Sequence, residues 1–444
     1  MLRARGKAKP GILKTMTMLT LTAAVAVSLT GCGKPDGNAS ATPNAQKPVT
    51  LKMMHNWTNP NVDNEIFKAR IKQFQDENKN ITIEVEEVPS NQYPTKLQTQ
   101  ATGRTLPDMA VFQPRAALRP YVEAGLLMPI DEILDNWKDI LPKEALEAYS
   151  INGKHYAVPA KLTYADVIYY NKELLAQVGY KEFPKTYTEF VNMVKKLKAA
   201  NITPIVVGNK DRWPLQSSFM SIITDRIAGT GYLEKAAAGE AKFTDPDFVK
   251  SLGVIEELTN LGAFNQDINT IDTVQEQNYF LQGKAAMSMT TSTIDAKYRQ
   301  TNDNGANIGI ALFPQVEGGK GNPQTSSGNY QFGLALNADL EKDKDKKAAA
   351  YKFLKFFYSN DLYKDLNAKG IIVPAKMELA SSANNYMKEM VELNSKGTTT
   401  IIDQTLATSV NESLQNGLQA ILTKQKTSAQ IAEEIQSVQN KLKK

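Results

Sequence analysis

The chain has 444 residues, of which 42% are hydrophobic, 22% are charged and 8% are aromatic. This composition is typical of a globular protein, and it excludes a disordered chain, a collagen and a polytopic membrane protein. The length predicts two or three domains.

The excess positive charge of the chain lies in its first 31 residues. Lysine and arginine exceed the acids by 52 to 47, and the first 31 residues contain no acid and five basic residues, Arg3, Arg5, Lys7, Lys9 and Lys14. The rest of the chain is therefore balanced at 47 basic and 47 acidic residues. A neutral body offers no broad electrostatic surface for a phosphate backbone, so we expect no nucleic-acid partner.

The basic segment leads into an uncharged stretch, residues 16–30 (MTMLTLTAAVAVSLT). It has the length of the apolar region of a signal peptide and is too short to span a bilayer comfortably, so residues 1–31 are predicted to be an export leader. The single cysteine of the chain, Cys32, follows directly. One cysteine excludes an internal disulfide, a Cys-based metal cluster and a dithiol redox motif. A thiol in the core is the structural alternative, and the position of Cys32 behind a leader disfavours it.

Residues 29–32 (LTGC) resemble a bacterial lipobox. The resemblance implies cleavage before Cys32 and attachment of lipid to its sulfur. Residues 33–49 (GKPDGNASATPNAQKPV) contain three prolines and no aromatic residue, leucine or isoleucine. Such a segment cannot bury much apolar area, so residues 32–49 are predicted to be a flexible tether. We expect a protein anchored by lipid at the extracellular face of the cell membrane.

From residue 50 onward, short β-like runs alternate with amphipathic helical stretches, which is the pattern of layered α/β folds. The predicted strands are residues 51–54, 81–85, 109–112, 166–170, 205–207, 286–289, 308–312 and 332–336. The predicted helices are residues 63–74, 187–200, 246–261, 347–358, 405–422 and 429–442. The sequence therefore predicts an α/β protein without internal repeats.

The common signatures of catalysis are missing from the sequence. Its two histidines, His55 and His155, are a hundred residues apart, and each fits a polar position at a strand end better than a general base. There is no G-x-S-x-G, Walker or G-x-G-x-x-G motif and no calcium loop. We expect a protein without enzymatic activity, metal or cofactor. Two carboxylates brought together by the fold would suffice for a secreted glycosidase, which stays open as an alternative.

Several segments, in their order and spacing, resemble the extracellular solute-binding proteins (family 1) of carbohydrate ABC transporters, the group that includes maltose-binding protein. The resemblance covers most of the chain after the tether. Its segments are residues 55–59 (HNWTN), 106–112 (LPDMAVF), 121–127 (YVEAGLL), 152–159 (NGKHYAVP), 168–175 (IYYNKELL), 183–190 (FPKTYTEF), 280–287 (FLQGKAAM) and 370–374 (GIIVP).

The resemblance implies a type II periplasmic-binding-protein fold, in which two α/β lobes close on a ligand in the cleft between them. Carried over, the chain crosses between lobes near residues 158–159, 328–332 and 382–395. This places the first lobe in residues 50–158 and 330–388, and the second lobe in residues 159–329 and 389–444. The implied function is a monomeric receptor that captures a carbohydrate and is then recognised by the permease subunits of an importer.

The family's ligand-contact segments mark candidate site residues in this chain. These are Asn56, Trp57, Thr58, Asn59, Gln113, Arg115, Tyr164 and Trp213. Aromatic faces cover the C–H surface of a pyranose, and amide, guanidinium and hydroxyl groups pair with its hydroxyls. The structural alternatives are a core position for either tryptophan, a surface ion pair for Arg115 and a place beside a helix cap for Tyr164.

The chain departs from the family pattern after residues 285–287. Many relatives continue with glycine and tryptophan, whereas this chain continues with residues 288–293 (SMTTST). An aromatic platform is therefore missing there, and Thr290 and Ser292 are expected to bond sugar hydroxyls instead. A lipid-anchored receptor for a peptide or another small solute is the other open alternative.

Overall fold

The computed structural model describes residues 47–58, 60–90, 92–294, 298, 306–379, 385–393 and 396–442. They belong to one compact unit, Lys47–Lys444. A second unit, Met1–Gln46, contains the predicted leader, Cys32 and most of the tether, and it lies outside the described residues. Asn59 and part of the predicted third crossing also lie outside them. No helix in the described part is long and apolar enough to cross a membrane.

Strands from distant parts of the chain form the first sheet. Its strands are β1 (Val49–His55), β2 (Ile81–Glu87), β3 (Met109–Phe112), β4 (Leu127–Met128) and β13 (Gly333–Asn337), in the order β2-β1-β3-β13-β4. β1 is parallel to β2 and β3, whereas β13 is antiparallel to β3 and β4. The carboxyl ends of β1 and β3 therefore meet at one edge, where open α/β sheets bind ligands.

The second sheet has four strands. They are β8 (Val167–Asn171), β9 (Thr203–Val206), β10 (Ala285–Thr290) and β11 (Ile308–Ala311), in the order β11-β8-β10-β9. β10 is parallel to β9, and β8 is antiparallel to both β10 and β11. All six residues of β10 are buried, as expected for a strand covered on both faces.

A third, smaller sheet links the other two. It contains β7 (Lys161–Tyr164), β12 (Ser326–Gln331) and β14 (Thr398–Thr399), in the order β14-β12-β7. β7 leads into the second sheet, β12 leads back into the first, and the two strands pair antiparallel with Tyr164 opposite Gly328. A Cβ atom at Gly328 would lie 2.8 Å from Cγ2 of Thr398, so glycine allows β14 to approach. A separate hairpin contains β5 (Ser150–Ile151) and β6 (Lys154–His155).

Helices surround the sheets and complete two α/β lobes. The described α-helices are Val62–Glu77, Tyr93–Thr102, Arg119–Glu123, Lys143–Glu147, Lys172–Gln177, Tyr187–Ala199, Ser221–Ala228, Tyr232–Ala238, Pro246–Asn260, Thr273–Leu281, Lys344–Phe357, Asn360–Ala368, Asn385–Leu393, Ile402–Thr405, Thr408–Leu422 and Ser428–Lys441. Short 3-10 helices are Arg115–Ala117, Asp131–Asn136, Asn209–Asp211, Ser292–Ile294 and Ala338–Lys342, and Leu215–Met220 is a π-helix.

All six predicted helices occur in the structure, and most of their bounds agree to within a few residues. The prediction for residues 405–422 is wrong at its start, because Leu406 has an extended backbone that separates Ile402–Thr405 from Thr408–Leu422. The predicted strand positions are also confirmed, and β1 begins at Val49, the last residue of the predicted tether.

Two hydrophobic cores stabilise the fold, and the first of them also includes residues of the second sheet, such as Tyr169 and Val206. In the first core, large aromatic side chains pack beneath the first sheet, among them Trp57, Phe67, Phe74, Phe112, Trp137 and Phe357. In the second core, aliphatic and aromatic side chains of the long helices pack on the second sheet, among them Phe190, Val194, Leu252, Ile255, Leu414 and Ile431. Burial of this apolar area is the main stabilising contribution, since the chain's one cysteine cannot form an internal disulfide.

Candidate ligand-binding cleft

A polar cavity of about 310 Å³ lies beside the linking strands β7 and β12. Its walls come from β7, β10, β12, the segments after them and the ends of nearby helices. The lining residues are Thr163, Ala165, Trp213, Ser217, Thr273, Gln277, Thr290, Thr291, Thr293, Asn329, Gln331, Ile401 and Asp403. Hydroxyl and amide groups therefore dominate the surface, with one indole and one carboxylate among them.

Trp213 reaches this cavity from an unusual backbone segment. Arg212 has a positive φ of 65°, and the π-helix Leu215–Met220 follows Pro214 directly. Non-glycine residues seldom adopt that φ, and π-helical turns are frequent at functional sites. The Asn209 side chain accepts a hydrogen bond from the Leu215 N–H at 3.2 Å and so closes the turn.

The Arg212 side chain fixes the same turn from outside. Its Nη1 donates to Oδ1 of Asn416 at 2.8 Å, on the helix Thr408–Leu422. The indole of Trp213 is thus positioned by local backbone geometry and by one contact to a distant helix.

Thr290 and Ser292 behave differently, although both were predicted to bond a ligand. Thr290 lines the cavity at the end of β10. Ser292 lies directly behind it, and its Oγ accepts a hydrogen bond from the Tyr164 N–H at 3.0 Å. Tyr164 is itself buried, which raises the pKa of its hydroxyl. Tyr164 and Ser292 therefore support the cavity wall and do not line it.

The described members of the predicted first-lobe set, Asn56, Trp57, Thr58, Gln113 and Arg115, follow the carboxyl ends of β1 and β3 and do not line the cavity. The Oδ1 of Asn56 and the Oε1 of Gln113 are buried, and neither has a hydrogen-bond partner among the described residues. Buried acceptors without partners are rare, and a ligand or water commonly satisfies them. Thr58 is half-buried beside them.

Trp57 does not occupy the position expected of a ligand contact. It is fully buried, with its indole stacked on the His55 ring at a centroid distance of 4.4 Å. Phe67 and Phe357 lie 4.8 and 5.9 Å from it. Aromatic side chains from two helices enclose this tryptophan, so it offers no face to the cavity and is a core residue here.

Arg115 lies between the lobes. The 3-10 helix Arg115–Ala117 of the first lobe packs on Ile402–Thr405. Burial lowers the pKa of the Arg115 guanidinium, and the charge of Glu234 acts in the opposite direction. Glu234 is an exposed residue of the helix Tyr232–Ala238, which also packs on Ile402–Thr405, so the acid that acts on Arg115 belongs to a distant part of the chain.

Two buried acids hold the elements around the cavity. The Oε2 of Glu276 accepts a hydrogen bond from the Gly208 N–H at 2.8 Å, and its Oε1 accepts one from Oγ of Ser288 at 2.6 Å. Burial raises the pKa of Glu276 to about 7. This carboxyl joins β10 to the segment that carries Trp213.

Asp166 has the same role at the linking strands. Its Oδ1 accepts hydrogen bonds from Oγ of Ser326 at 2.5 Å and from the Ser327 N–H at 3.0 Å. Burial raises the pKa of Asp166 to about 6, although these hydrogen bonds and Arg226 oppose the shift. Asp166 therefore fixes the turn after β7 against β12.

Sequence reasoning missed most of the residues that line the cavity. Thr163, Asn329 and Gln331 belong to β7 and β12, which are too polar to be predicted as strands. Asp403 belongs to a short helix, Ile402–Thr405, most of which lies before the predicted helix 405–422 and was not predicted. No grouping of three or more His, Cys, Asp or Glu side chains suited to a metal ion occurs in the described part of the chain.

Comparison with known proteins connects this fold to one family. Residues 59–364 match the family of bacterial extracellular solute-binding proteins. An uncharacterised extracellular-binding protein of an ABC transporter from Pyrococcus horikoshii is 27% identical over 284 residues, which are 62% of this chain and 64% of that protein. The multiple sugar-binding protein of Streptococcus mutans is 26% identical over 77% of this chain and 78% of its own length.

Solved structures agree with this match. A chitin oligosaccharide binding protein superimposes with a TM-score of 0.79 at 24% identity, over 89% of this chain and 98% of that chain. A structure from a study of xylan utilisation by Caldanaerobius polysaccharolyticus gives a TM-score of 0.75 at 25% identity, over 87% of this chain and 99% of that chain. The fold is that of the type II periplasmic binding proteins, with two α/β lobes. On the family match over more than half of its length, the chain belongs to the bacterial extracellular solute-binding proteins.

Proposed function

We propose that this chain is the substrate-binding lipoprotein of an ABC importer, which captures a sugar or oligosaccharide outside the cell and delivers it to the membrane permease. The observation that carries the proposal is the composition of the cavity wall, where Trp213 lies among threonine, serine and amide side chains. An indole covers the apolar C–H face of a pyranose, while hydroxyl and amide groups both donate to and accept from its hydroxyls.

The names of similar proteins support the same ligand class. The Streptococcus mutans relative is named for multiple sugars, and one solved structure is named for chitin oligosaccharides. Both are named as binding proteins, which favours a binding role for this chain over a glycosidase.

The proposed contacts fall into two groups. Trp213 and Thr290 line the cavity and would contact the ligand directly. Asn56 and Gln113 carry buried acceptors without partners, and we propose that they contact the ligand from the first lobe. Thr58, Asn59 and Arg115 stay candidates on that side, Tyr164 and Ser292 support the wall, and Trp57 is left out.

The lobe boundaries are part of the proposal. We assign residues 50–158 and 330–388 to the first lobe and residues 159–329 and 389–444 to the second. The pairing of β7 with β12 supports two of the three crossings, because these strands connect the sheets in opposite directions. Ligand contacts divided between two such lobes favour a closed state when the ligand is bound.

Attachment to the membrane is proposed through Cys32. Its support is the sequence alone, a basic and apolar leader followed by LTGC. Mass spectrometry of the protein from its native membrane should show a lipidated N-terminal Cys32 and no residues before it, whereas Cys32→Ala should give an unlipidated protein. An unlipidated N-terminus in the natural protein would contradict the anchor without touching the sugar site.

A thermal-shift screen tests the ligand class. A ligand that binds only the native state stabilises it by about 2.7 kcal/mol at a concentration one hundred times its Kd. We expect a neutral mono- or oligosaccharide to raise the unfolding temperature, and amino acids and peptides to leave it unchanged. Stabilisation by peptides alone would establish the alternative receptor, and release of reducing sugar from an oligosaccharide would establish a glycosidase.

A further inference from the structure

One charged side chain lies among the described residues that line the cavity. Asp403 is that residue, and the other lining residues are uncharged. It lies in the short helix Ile402–Thr405, which the extended backbone at Leu406 separates from the next helix. The carbonyl of Asp403 accepts a hydrogen bond from Nδ2 of Asn411 at 2.9 Å, so the short helix is held in place.

No basic side chain of the described residues compensates the carboxylate of Asp403. It forms no ion pair with any side chain of the described residues. The 3-10 helix Arg115–Ala117 packs on the helix of Asp403, but the carboxylate whose charge acts on Arg115 is that of Glu234. The carboxylate therefore presents an unbalanced negative charge to the cavity.

The environment of Asp403 calls for hydrogen-bond donors. The side chain is open to solvent in the cavity, yet the protein around it removes part of its hydration and raises the pKa of the carboxyl. Hydrogen bonding to the nearby Ser217 hydroxyl acts in the opposite direction. An ionised carboxylate can only accept hydrogen bonds, and such charge-assisted bonds are roughly twice as strong as neutral ones.

The other polar groups of the wall cannot discriminate by charge. Threonine, serine, asparagine and glutamine both donate and accept, so they adapt to a hydroxyl or to a carboxylate oxygen alike. A second negative charge near Asp403 would instead be repelled in a site of low effective dielectric.

We propose that Asp403 is the specificity-determining residue of the cleft: its carboxylate accepts hydrogen bonds from the hydroxyls of a neutral sugar ring and excludes sugars that carry a carboxylate or a phosphate. The inference rests on the proposed function, because it deepens the ligand class of the same cavity. It names a residue and a discrimination that the sugar proposal alone does not require.

Calorimetric titration with matched sugar pairs tests the inference. The probes are glucose with glucuronate, galactose with galacturonate, and glucose with glucose 6-phosphate, together with any neutral oligosaccharide found to bind. We expect the natural protein to bind the neutral member at least about tenfold more tightly, a factor that corresponds to 1.4 kcal/mol. Asp403→Asn keeps the size of the side chain and removes its charge, and it should lower this preference about tenfold or more.

Two controls separate charge from structure. Asp211→Asn makes the same charge change at an exposed residue beside Trp213 that does not line the cavity, and it should leave the preference unchanged within about twofold. Because a titration reports Kd for folded molecules, partial unfolding of a variant lowers the stoichiometry and not the preference. Asp403→Ser is a second uncharged variant should Asp403→Asn not fold.

The outcomes are distinguishable. If no sugar binds the natural protein, the proposed function fails and the inference fails with it. If neutral and anionic sugars bind the natural protein equally, or if both uncharged variants keep the preference, the inference alone is overturned. A preference that falls in the Asp403 variants and persists in Asp211→Asn supports it.

Discussion

The Nζ of Lys161 lies 2.5 Å from Oδ2 of Asp63, and each side chain is only 10% exposed. Lys161 belongs to the linking strand β7, and Asp63 lies in the first turn of the helix Val62–Glu77. The ammonium also lies 4.9 Å from the ring centroid of Phe332, directly after β12. This buried ion pair therefore fastens the linking strands to the first lobe.

Removal of the lysine charge should destabilise the protein strongly. Lys161→Met leaves the buried Asp63 carboxylate without a compensating charge, although its Oδ1 still accepts a hydrogen bond from the Asn64 N–H. Such a loss typically costs about 3–5 kcal/mol of unfolding free energy. Urea denaturation measures the change. Lys47→Met is the matched control, because its pair with Asp345 is 78% and 54% exposed and should contribute at most about 1 kcal/mol. A Lys161→Met variant as stable as the control would show that the buried pair contributes no net stability.

His55 should make the protein sensitive to acid. Burial lowers the pKa of its imidazole to about 4, from an ordinary value of 6.5. Above pH 6.5 the residue is neutral in both states and no stability is lost. As the pH falls from 6.5 to 4, the unfolded chain takes up a proton that the folded protein refuses, so up to about 3 kcal/mol is lost.

The variant His55→Asn tests this acid loss. Asparagine has no titratable group. Its Oδ1 can accept the hydrogen bond that the backbone N–H of Trp57 donates to Nδ1 of His55 at 3.2 Å in the natural protein. As the pH falls from 6.5 to 4, the unfolding free energy of the natural protein should decrease more than that of the variant. His155→Asn is the control, since it leaves His55 in place. A difference that stays constant with pH would show that His55 titrates normally.

Glu276 should act in the opposite direction. Burial raises its pKa to about 7 from an ordinary value of 4.5. Its contribution is complete below pH 4.5 and is lost as the pH rises through 7, because the unfolded carboxyl ionises freely and the folded one does not. The full difference is about 3 kcal/mol.

Glu276→Gln removes that titration while keeping an acceptor for the Gly208 N–H. Urea denaturation between pH 4.5 and 8.5 should show the variant gaining stability relative to the natural protein as the pH rises. Glu173→Gln, an exposed glutamate in the helix Lys172–Gln177, is the control and should show no such trend. Parallel stability curves for Glu276→Gln and the natural protein would mean that the buried carboxyl keeps its ordinary pKa.

Substitution of Trp213 should change ligand affinity, whereas substitution of Trp57 should change the folding free energy. Trp213 lines the cavity, so Trp213→Ala should weaken sugar binding by about 1–3 kcal/mol, which is about 5- to 150-fold in Kd, and change stability little. Trp57 is fully buried, and Trp57→Ala should cost about 3–5 kcal/mol of folding free energy. Measurement of both quantities on both variants decides the roles. Normal affinity with lost stability in Trp213→Ala would assign that residue to the core.

The sequence predicts the elements of this fold whose local pattern agrees with their burial. Residues 63–74 and 246–261 carry apolar side chains at helical spacing, and both form helices in which those side chains are buried. β7 and β12 could not be predicted, because their buried residues Lys161 and Ser326 are polar and are stabilised by distant partners, Asp63 and Asp166. Local periodicity carries no information about such partners.

The residues of the candidate site likewise divide into those that the sequence identifies and those that it does not. Trp213 is identified from a segment that resembles the family and Thr290 from a departure from the family pattern, and both line the cavity. Trp57 follows β1, but its burial depends partly on Phe357, which lies 300 residues further along the chain. Asp403 could not be identified, since apart from Ile401 its neighbours in the cavity come from segments between 72 and 240 residues away.

The most direct measurement of the central claim is a calorimetric titration of the purified protein and of Trp213→Ala with neutral mono- and oligosaccharides. The account predicts that at least one of them binds the natural protein saturably at one site per chain, and that the variant binds it about 5- to 150-fold more weakly at unchanged stability. Absence of heat with every sugar, or equal affinity for the natural protein and Trp213→Ala, would contradict a sugar receptor built on this cavity.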